Sequence, residues 1–180
     1  MGYYDNSHVS WSKMRKVLEK DNICESLKGR IQYFQTWYGS HSHTRIAIRI
    51  DKKEVFRSSF YHYWKDVLAL AQANKRETGN FNYAKAHEET QNQGKDDSFF
   101  QSFHKYHNQS IEKSLNDPNP FVRLFAIMDK RVGKRRLQKL ICEVKKQPDW
   151  LQQFYQLRLD ADGIGTKKLM IKEIRKNENI

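Results

Sequence analysis

The residues best suited to chemistry lie in one cationic stretch, "DKRVGKRRLQK", which runs from Asp129 to Lys139. Six cationic side chains surround a single glycine in it: Lys130, Arg131, Lys134, Arg135, Arg136 and Lys139. Arginine presents a planar fork of donors that can hold two phosphate oxygens at once, whereas lysine supplies a point charge. These residue types favour the binding of phosphate groups over a catalytic step.

The same stretch also fits the solvent side of an amphipathic helix. On a helix over residues 134–146, four apolar side chains would occupy an arc of about 100°, which suits a stripe that faces a core. They are Leu137, Leu140, Ile141 and Val144. Residues 123–146 nevertheless carry nine cations against two carboxylates, which is more than solubility requires. We therefore predict a nucleic-acid interface that comprises Arg123 and the six cations of the stretch.

A second basic region is predicted near the loop "GSHSH" at residues 39–43. The order helix, three strands, helix over residues 10–77 is similar to that of a double-stranded RNA-binding domain, which contacts the minor groove of RNA. His41, His43 and Arg45 would then add a loop contact. That domain also holds phosphates with several lysines at the start of its last helix, whereas only Lys65 is present here.

The periodicity of apolar residues predicts an α+β fold. Residues 30–58 alternate as strands do, with helical spacing on either side, which gives an N-terminal α-β-β-β-α block with a three-stranded antiparallel meander. A mostly helical C-terminal half follows. The predicted units are the block at 1–78, a polar connector at 79–97, a helical region at 98–163 and a basic tail at 164–180.

Local signals place several helix ends. Ser10 and Asn119 suit N-caps, and Pro120 suits the first position of a helix. The span from Ser98 to Leu115 is predicted as one helix. We predict a break at Gly133 because the apolar residues before and after it fall on different faces, an arrangement that resembles a helix-turn-helix.

The charge of the chain indicates the kind of partner. The net charge is +12 with a pI near 9.7, and it divides into +6 for residues 1–78, −2 for 79–118 and +8 for 119–180. Such a balance favours polyanionic partners. Our first hypothesis is a non-catalytic nucleic-acid-binding protein, with RNA slightly ahead of DNA. The alternative is a protein-interaction module, a regulator or inhibitor whose basic face docks on an acidic protein.

Histidines provide the third alternative, a nuclease. His104 and His107 are one helical turn apart, a spacing that can ligate a metal, but no third ligand is evident. Arg57 and His62 match the R-x4-H spacing of the HEPN ribonucleases but straddle a strand and a helix start. No phosphate loop or activated nucleophile is present, so we predict no catalytic residues, no metal and no cofactor. The nuclease alternative would use His62, His104 or His107.

Cysteine usage indicates the compartment. Cys24 and Cys142 show neither the spacing of a zinc site nor the density of a disulfide scaffold, which favours a reducing environment. The N-terminus lacks the features of a signal peptide, and no apolar run approaches the length of a membrane span. The sequence predicts a cytoplasmic protein without a membrane span, and leaves its oligomeric state open.

Several segments carry a resemblance to a known family. They are "SWSKMRKVLEK", "ESLKGRIQYFQTWY", "RIAIRIDKKEV", "NPFVRLFAIMDKRVGKRRLQKL" and "PDWLQQFYQLRLDAD". Over residues 10–162 the sequence resembles a family of small, uncharacterised bacterial cytoplasmic proteins of unknown function. The resemblance implies no activity, and no functional residues can be carried over from it.

Overall fold

The computed structural model describes residues 9–38, 43–92 and 99–164. It confirms the α+β class: an N-terminal helix and a three-stranded sheet precede a mostly helical half. The strands are β1 (Ile31–Tyr38), β2 (His43–Ile50) and β3 (Lys53–Ser59). The α-helices are α1 (Trp11–Lys16), α2 (Phe60–Thr78), α3 (Tyr83–Asn92), α4 (Phe99–Asn108), α5 (Ile111–Leu115), α6 (Pro120–Met128), α7 (Lys134–Lys139) and α8 (Asp149–Ala161). A π-helical turn (Val17–Asp21) and two 3-10 turns (Glu25–Leu27, Ile141–Lys146) complete the described elements.

The first helix begins where its cap predicts. The Ser10 hydroxyl accepts a hydrogen bond from the Lys13 N–H at 3.2 Å, which satisfies one of the donors left free at a helix start. In the π-helical turn that follows, the Glu19 carboxylate accepts the Tyr33 N–H of β1 at 2.7 Å. The helix is thereby tied to an edge strand whose N–H would otherwise lack a strand partner.

The sheet is the predicted antiparallel meander, in the order β1-β2-β3. Tyr33 lies opposite Ile48, and Ile48 opposite Phe56, so these three side chains form the buried face. The expectation that only this face is buried is wrong at Ala47, which is fully buried on the other face. The reason is that its small side chain lies between two larger cross-strand neighbours, Phe34 and Arg57.

An aromatic layer joins the sheet to the helices behind it. The Tyr33 ring lies 5.6 Å from the Phe99 ring of α4, and the Phe56 ring lies 5.2 Å from Phe121 of α6 and 4.5 Å from Trp150. Rings at these separations contribute stability beyond the area they bury. The N-terminal block and the helical half therefore share one hydrophobic core.

Helix α6 runs through the centre of this core. Asn119 caps it as predicted, since its side chain accepts the Phe121 N–H at 2.8 Å, and Pro120 occupies the first turn. Every residue of α6 except Arg123 is buried. Among the described residues, no helix is both long and apolar enough to cross a membrane.

The span from Ser98 to Leu115 does not form a single helix, contrary to the prediction. Helix α4 ends at Asn108, and Ser110 starts α5 by accepting the Lys113 N–H at 3.2 Å. A serine that bonds its own backbone in this way competes with helix continuation. Phe99, Phe103 and Tyr106 are buried as expected, and Ile111 is half-buried.

Helices α2 and α3 pack on each other through small side chains. Val67 and Ala71 of α2 are buried with Ala86 of α3 in a small separate cluster. The spacing of the apolar residues of α2 in the sequence predicts that Leu68 shares the buried face of Val67 and Ala71, but Leu68 is 45% exposed because α3 covers the adjacent side of the helix. Helix α3 lies inside the predicted polar connector. The loop at 39–42 and the tail beyond residue 164 lie outside the described residues.

The turn between α5 and α6 depends on the Asp117 carboxylate. It accepts hydrogen bonds from the Lys105 ammonium at 3.0 Å, the Gln109 amide at 3.2 Å and the Asn119 N–H at 2.9 Å. Burial raises the pKa of Asp117, but these donors outweigh burial and lower the pKa below its ordinary value of 3.8. The resulting stabilisation is fully present above the unfolded pKa and is lost as pH falls through the folded pKa.

We expect Asp117→Asn to lower the free energy of unfolding by about 1 to 3 kcal/mol at pH 7, because charged donors lose an ionised acceptor. The difference in the free energy of unfolding between the wild type and the variant should become smaller as pH falls below about 4. Urea unfolding at a series of pH values measures both curves. Curves that stay parallel down to pH 2 would show that Asp117 does not contribute in this way.

Candidate polyanion interface

The predicted break between α6 and α7 exists, but it begins earlier than Gly133. Helix α6 ends at Met128, and Asp129 already has extended backbone angles. The Asp129 carboxylate accepts the Arg131 N–H at 2.8 Å, which turns the chain out of the helix. Gly133 then forms the N-cap of α7 instead of ending α6.

The helix predicted over residues 134–146 is also shorter than expected. Helix α7 ends at Lys139, and a 3-10 turn continues from Ile141 to Lys146. Leu137 is fully buried, whereas the three apolar residues that follow it in the predicted stripe are half-buried. The apolar stripe therefore packs against the core along its length but is fully buried only at Leu137, and the cations around it lie on the surface.

A buried carboxylate holds the turn between α6 and α7. The Asp129 side chain is fully buried and accepts a hydrogen bond from the Tyr106 hydroxyl at 2.5 Å and from the Arg131 guanidinium at 2.6 Å. Burial, followed by the hydrogen bond to Asp129, raises the pKa of Tyr106 well above its usual range. The hydrogen bond to Asp129 likewise raises the pKa of Arg131. This network fixes where α7 starts.

Backbone contacts with the N-terminal segment fix the same turn from the other side. The Cys24 N–H donates to the Met128 carbonyl at 3.0 Å, and the Lys130 N–H donates to the Asn22 carbonyl at 2.8 Å. The Lys130 ammonium donates to the Asp21 carbonyl at 2.5 Å. The position of the basic helix is thus set by residues more than a hundred positions earlier in the chain.

Helix α7 forms one wall of an open groove of about 910 Å³, which we call the α7 groove. Its described lining residues are Glu112, Leu115, Asn116, Gly133, Lys134, Arg135, Arg136, Lys139, Leu140 and Glu143. Helix α5 supplies the opposite wall, and Leu115 and Leu140 add apolar surface. Lys134, Arg135 and Lys139 are exposed and form no ion pair with another described residue.

Two carboxylates moderate the charge of the α7 groove. Glu112 on α5 pairs with Arg136 at 2.8 Å, and Glu143 pairs with Lys146 at 2.9 Å. The lining thus holds four cations and two anions. Its field remains positive and favours a polyanion.

A second open groove, of about 400 Å³, meets the first at Gly133 and Lys134; we call it the α8 groove. Its other described lining residues are Cys24, Glu25, Ser26, Lys130, Val132, Arg158, Ala161 and Asp162. The buried Arg158 guanidinium donates to the Val132 carbonyl at 2.9 Å and lies 2.6 Å from the Asp162 carboxylate. Arg158 is therefore a buried support of this groove.

Besides Lys130 and Arg136, two more of the predicted contact residues are engaged within the protein. The Arg123 guanidinium donates to the carbonyls of Asp117 at 2.6 Å and Pro118 at 2.8 Å, and to the Gln147 side chain at 2.8 Å. Arg131 is half exposed but forms the forked pair with Asp129 described above. The structure thus brings Lys134, Arg135, Arg136 and Lys139 together in one groove and places Arg123 and Arg131 beside other partners.

The side chains of the second basic region, His41, His43 and Arg45, all lie outside the part of the chain that the structure describes. His43 and Arg45 belong to β2. The described lining of both grooves contains no residue of the sheet. The loop contact predicted for these three residues stays a prediction.

The histidine pair lies on α4, where His104 is half-buried and His107 is exposed and stacks on the Phe103 ring at 5.7 Å. Within residues 9–38, 43–92 and 99–164, no cluster of three or more His, Cys, Asp or Glu side chains could hold a metal. Arg57 is exposed on β3, and the His62 side chain lies outside the described part. The nuclease alternative stays untested.

Sequence reasoning missed the opposite wall of the α7 groove. Glu112 and Leu115 belong to a segment that was predicted as the continuation of a longer helix, and Asn116 directly follows it. The cap signal at Ser110, with Glu112 in the next turn, could have revealed the start of α5. Its approach to α7 depends on tertiary packing and has no local signal.

Comparison with known proteins gives one match. The model described as the SF0329 protein family covers residues 10–159. No curated protein and no solved structure matches the chain. The family description states no activity, so the assignment of function depends on the geometry of the site.

Proposed function

The chain belongs to the SF0329 protein family, and we propose that it is a non-catalytic nucleic-acid-binding protein that prefers RNA to DNA. The observation that supports this most directly is the convergence of Lys134, Arg135 and Lys139 on the α7 groove without an ion-pair partner among the described residues. Exposed, unpaired cations can neutralise phosphates and release counterions, which is the main source of sequence-independent affinity for nucleic acids.

Other cations would have supporting roles in this proposal. Arg136 can exchange its contact with the exposed Glu112 for a phosphate, because an exposed ion pair contributes little stability. Lys130 lies at the α8 groove. His43 and Arg45, near the tip of the β1–β2 hairpin, would make a separate contact with the same nucleic acid.

A second candidate function is the docking of an acidic protein. The observation that favours it is the apolar lining of the α7 groove, where Leu115 and the half-buried Leu140 lie among the cations. An acidic amphipathic segment could bury apolar side chains there and pair its carboxylates with α7. The protein would then act as a regulator or inhibitor of its partner.

A binding comparison separates the two candidates. The affinities for a short RNA, a DNA of the same sequence and polyglutamate should be measured by fluorescence anisotropy at one salt concentration. We expect a nucleic acid to bind at least tenfold more tightly than polyglutamate, a difference of about 1.4 kcal/mol. Equal or tighter binding of polyglutamate would reject the first candidate in favour of the second.

We also propose that the protein acts in the cytoplasm of a bacterium. Supporting this, both cysteines are free: Cys24 is buried and Cys142 is exposed. An exposed free thiol suits a reducing compartment better than an oxidising one.

A further inference from the structure

Gly133 is a glycine that the fold itself does not require. Its backbone angles, φ −78° and ψ 165°, lie in the extended region that any residue adopts. A Cβ atom added there would meet no other atom within 4 Å. Neither backbone strain nor close packing explains the missing side chain, and the N-cap position of α7 would accept Ser, Thr, Asn or Asp at least as well as glycine. A glycine also allows close approach of a ligand to the backbone.

Gly133 lies where the two grooves meet, so a ligand could approach its backbone there. Gly133 and Lys134 are the described residues that line both the α7 groove and the α8 groove. A side chain at residue 133 would stand at the junction between the grooves. The two grooves are therefore adjacent, no side chain at residue 133 separates them, and cations line both: Lys130, Lys134, Arg135, Arg136 and Lys139.

The shape of these two grooves favours a flexible strand over a rigid duplex. A recognition helix reads a duplex by projecting into the major groove, which is about 12 Å wide. Helix α7 has six residues, about 9 Å in length, and Leu137 anchors it in the core. Its cations line concave surfaces beside it. A single strand can follow such a charged groove along its backbone.

We propose that the ligand is a single-stranded nucleic acid that crosses Gly133 from the α7 groove into the α8 groove, with Lys134 contacting phosphate at the junction. This inference rests on the proposed function and narrows its ligand class. The described lining of the two grooves contains no aromatic side chain on which a base could stack. Binding should therefore depend little on base identity.

The test combines two ligands with a steric variant. An oligouridine and a blunt RNA duplex of the same length are titrated against the wild type, Gly133→Val and Gly133→Asn. Valine adds bulk at the junction without altering charge. Asparagine adds a side chain while retaining a favoured N-cap residue. Gln138→Val, on an exposed α7 position outside both described linings, is the matched control.

We expect the wild type to bind the single strand more tightly than the duplex. Gly133→Val should weaken single-strand binding by about tenfold, Gly133→Asn should weaken it less, and Gln138→Val should leave it unchanged. Gly133→Val should unfold at a slightly lower temperature because it loses a favoured N-cap residue, whereas the other two variants should unfold close to the wild type. The inference is overturned if the duplex binds equally well, or if both Gly133 variants bind like the wild type. If neither nucleic acid binds more tightly than polyglutamate, the proposed function itself has failed.

Discussion

Arg135→Glu combined with Lys139→Glu is expected to reduce the affinity for RNA by at least about 100-fold, roughly 2.7 kcal/mol. Both side chains are exposed and line the α7 groove without an ion-pair partner among the described residues. Their replacement removes two cations and introduces two anions, so that phosphates are repelled where they were attracted. Anisotropy titrations of the wild type and the double variant at equal salt measure the loss.

The matched control for this experiment is Lys75→Glu combined with Arg76→Glu. These exposed residues lie in the last turn of α2, which lines neither groove in its described part. The control changes the net charge by the same amount, so it reports the effect of overall charge alone. Equal losses in the two double variants would contradict the assignment of the groove. Both double variants should unfold within a few degrees of the wild type, because exposed substitutions usually change stability by less than about 0.5 kcal/mol.

Asp129→Ala is expected to lower the free energy of unfolding by about 2 to 4 kcal/mol, because several hydrogen bonds to a charged acceptor are lost together. The fully buried carboxylate accepts hydrogen bonds from the Tyr106 hydroxyl and from the backbone and guanidinium of Arg131. Alanine would remove the acceptor of the buried Tyr106 hydroxyl proton, and the Asn22 amide, which donates to the same oxygen at 3.0 Å, cannot replace it. Urea denaturation of the two proteins at pH 7 measures the difference.

Two further variants make this prediction specific. Asp129→Asn retains the shape and one acceptor oxygen but loses the charge, and we expect it to be intermediate in stability. Asp160→Ala removes an exposed carboxylate that accepts one hydrogen bond from Gln156 at 2.8 Å, and it should be nearly neutral. An Asp129→Ala protein as stable as Asp160→Ala would show that the buried network does not hold the turn.

The parts of the fold that could be predicted are those set by neighbouring residues. Alternation of apolar side chains located the three strands, because a strand with one face toward a core alternates strictly. The hydroxyl of Ser10 and the amide of Asn119 marked the starts of α1 and α6, because each side chain bonds an N–H two or three residues ahead. These signals can be read from the sequence because each depends only on residues a few positions apart.

The errors arose where distant contacts decide the structure. Helix α6 ends at Met128 because Asp129 is held by Tyr106, which is 23 residues away, and because its backbone pairs with Ile23. Leu68 was assigned to a buried face because the sequence does not say which side of α2 receives α3. Ser110 is different, since its cap was readable from the sequence and was overlooked.

In the candidate site, too, local features could be predicted from the sequence and features that depend on distant contacts could not. The cations of the "DKRVGKRRLQK" stretch were evident from composition, but composition cannot say which of them are engaged elsewhere. Arg123 binds backbone carbonyls of the turn before α6, and Arg136 pairs with Glu112 on α5. Only the fold shows that Lys134, Arg135 and Lys139 remain available in a common groove.

The salt dependence of RNA binding tests the central claim most directly. If Lys134, Arg135 and Lys139 each neutralise one phosphate of a single strand, the logarithm of the association constant should fall linearly with the logarithm of salt concentration, with a slope of about −2. Arg135→Glu combined with Lys139→Glu should reduce the slope to about −0.7 or to a smaller magnitude, because Lys134 alone still neutralises a phosphate. A wild-type slope near zero, or an unchanged slope in that variant, would contradict the claim that this groove binds phosphates.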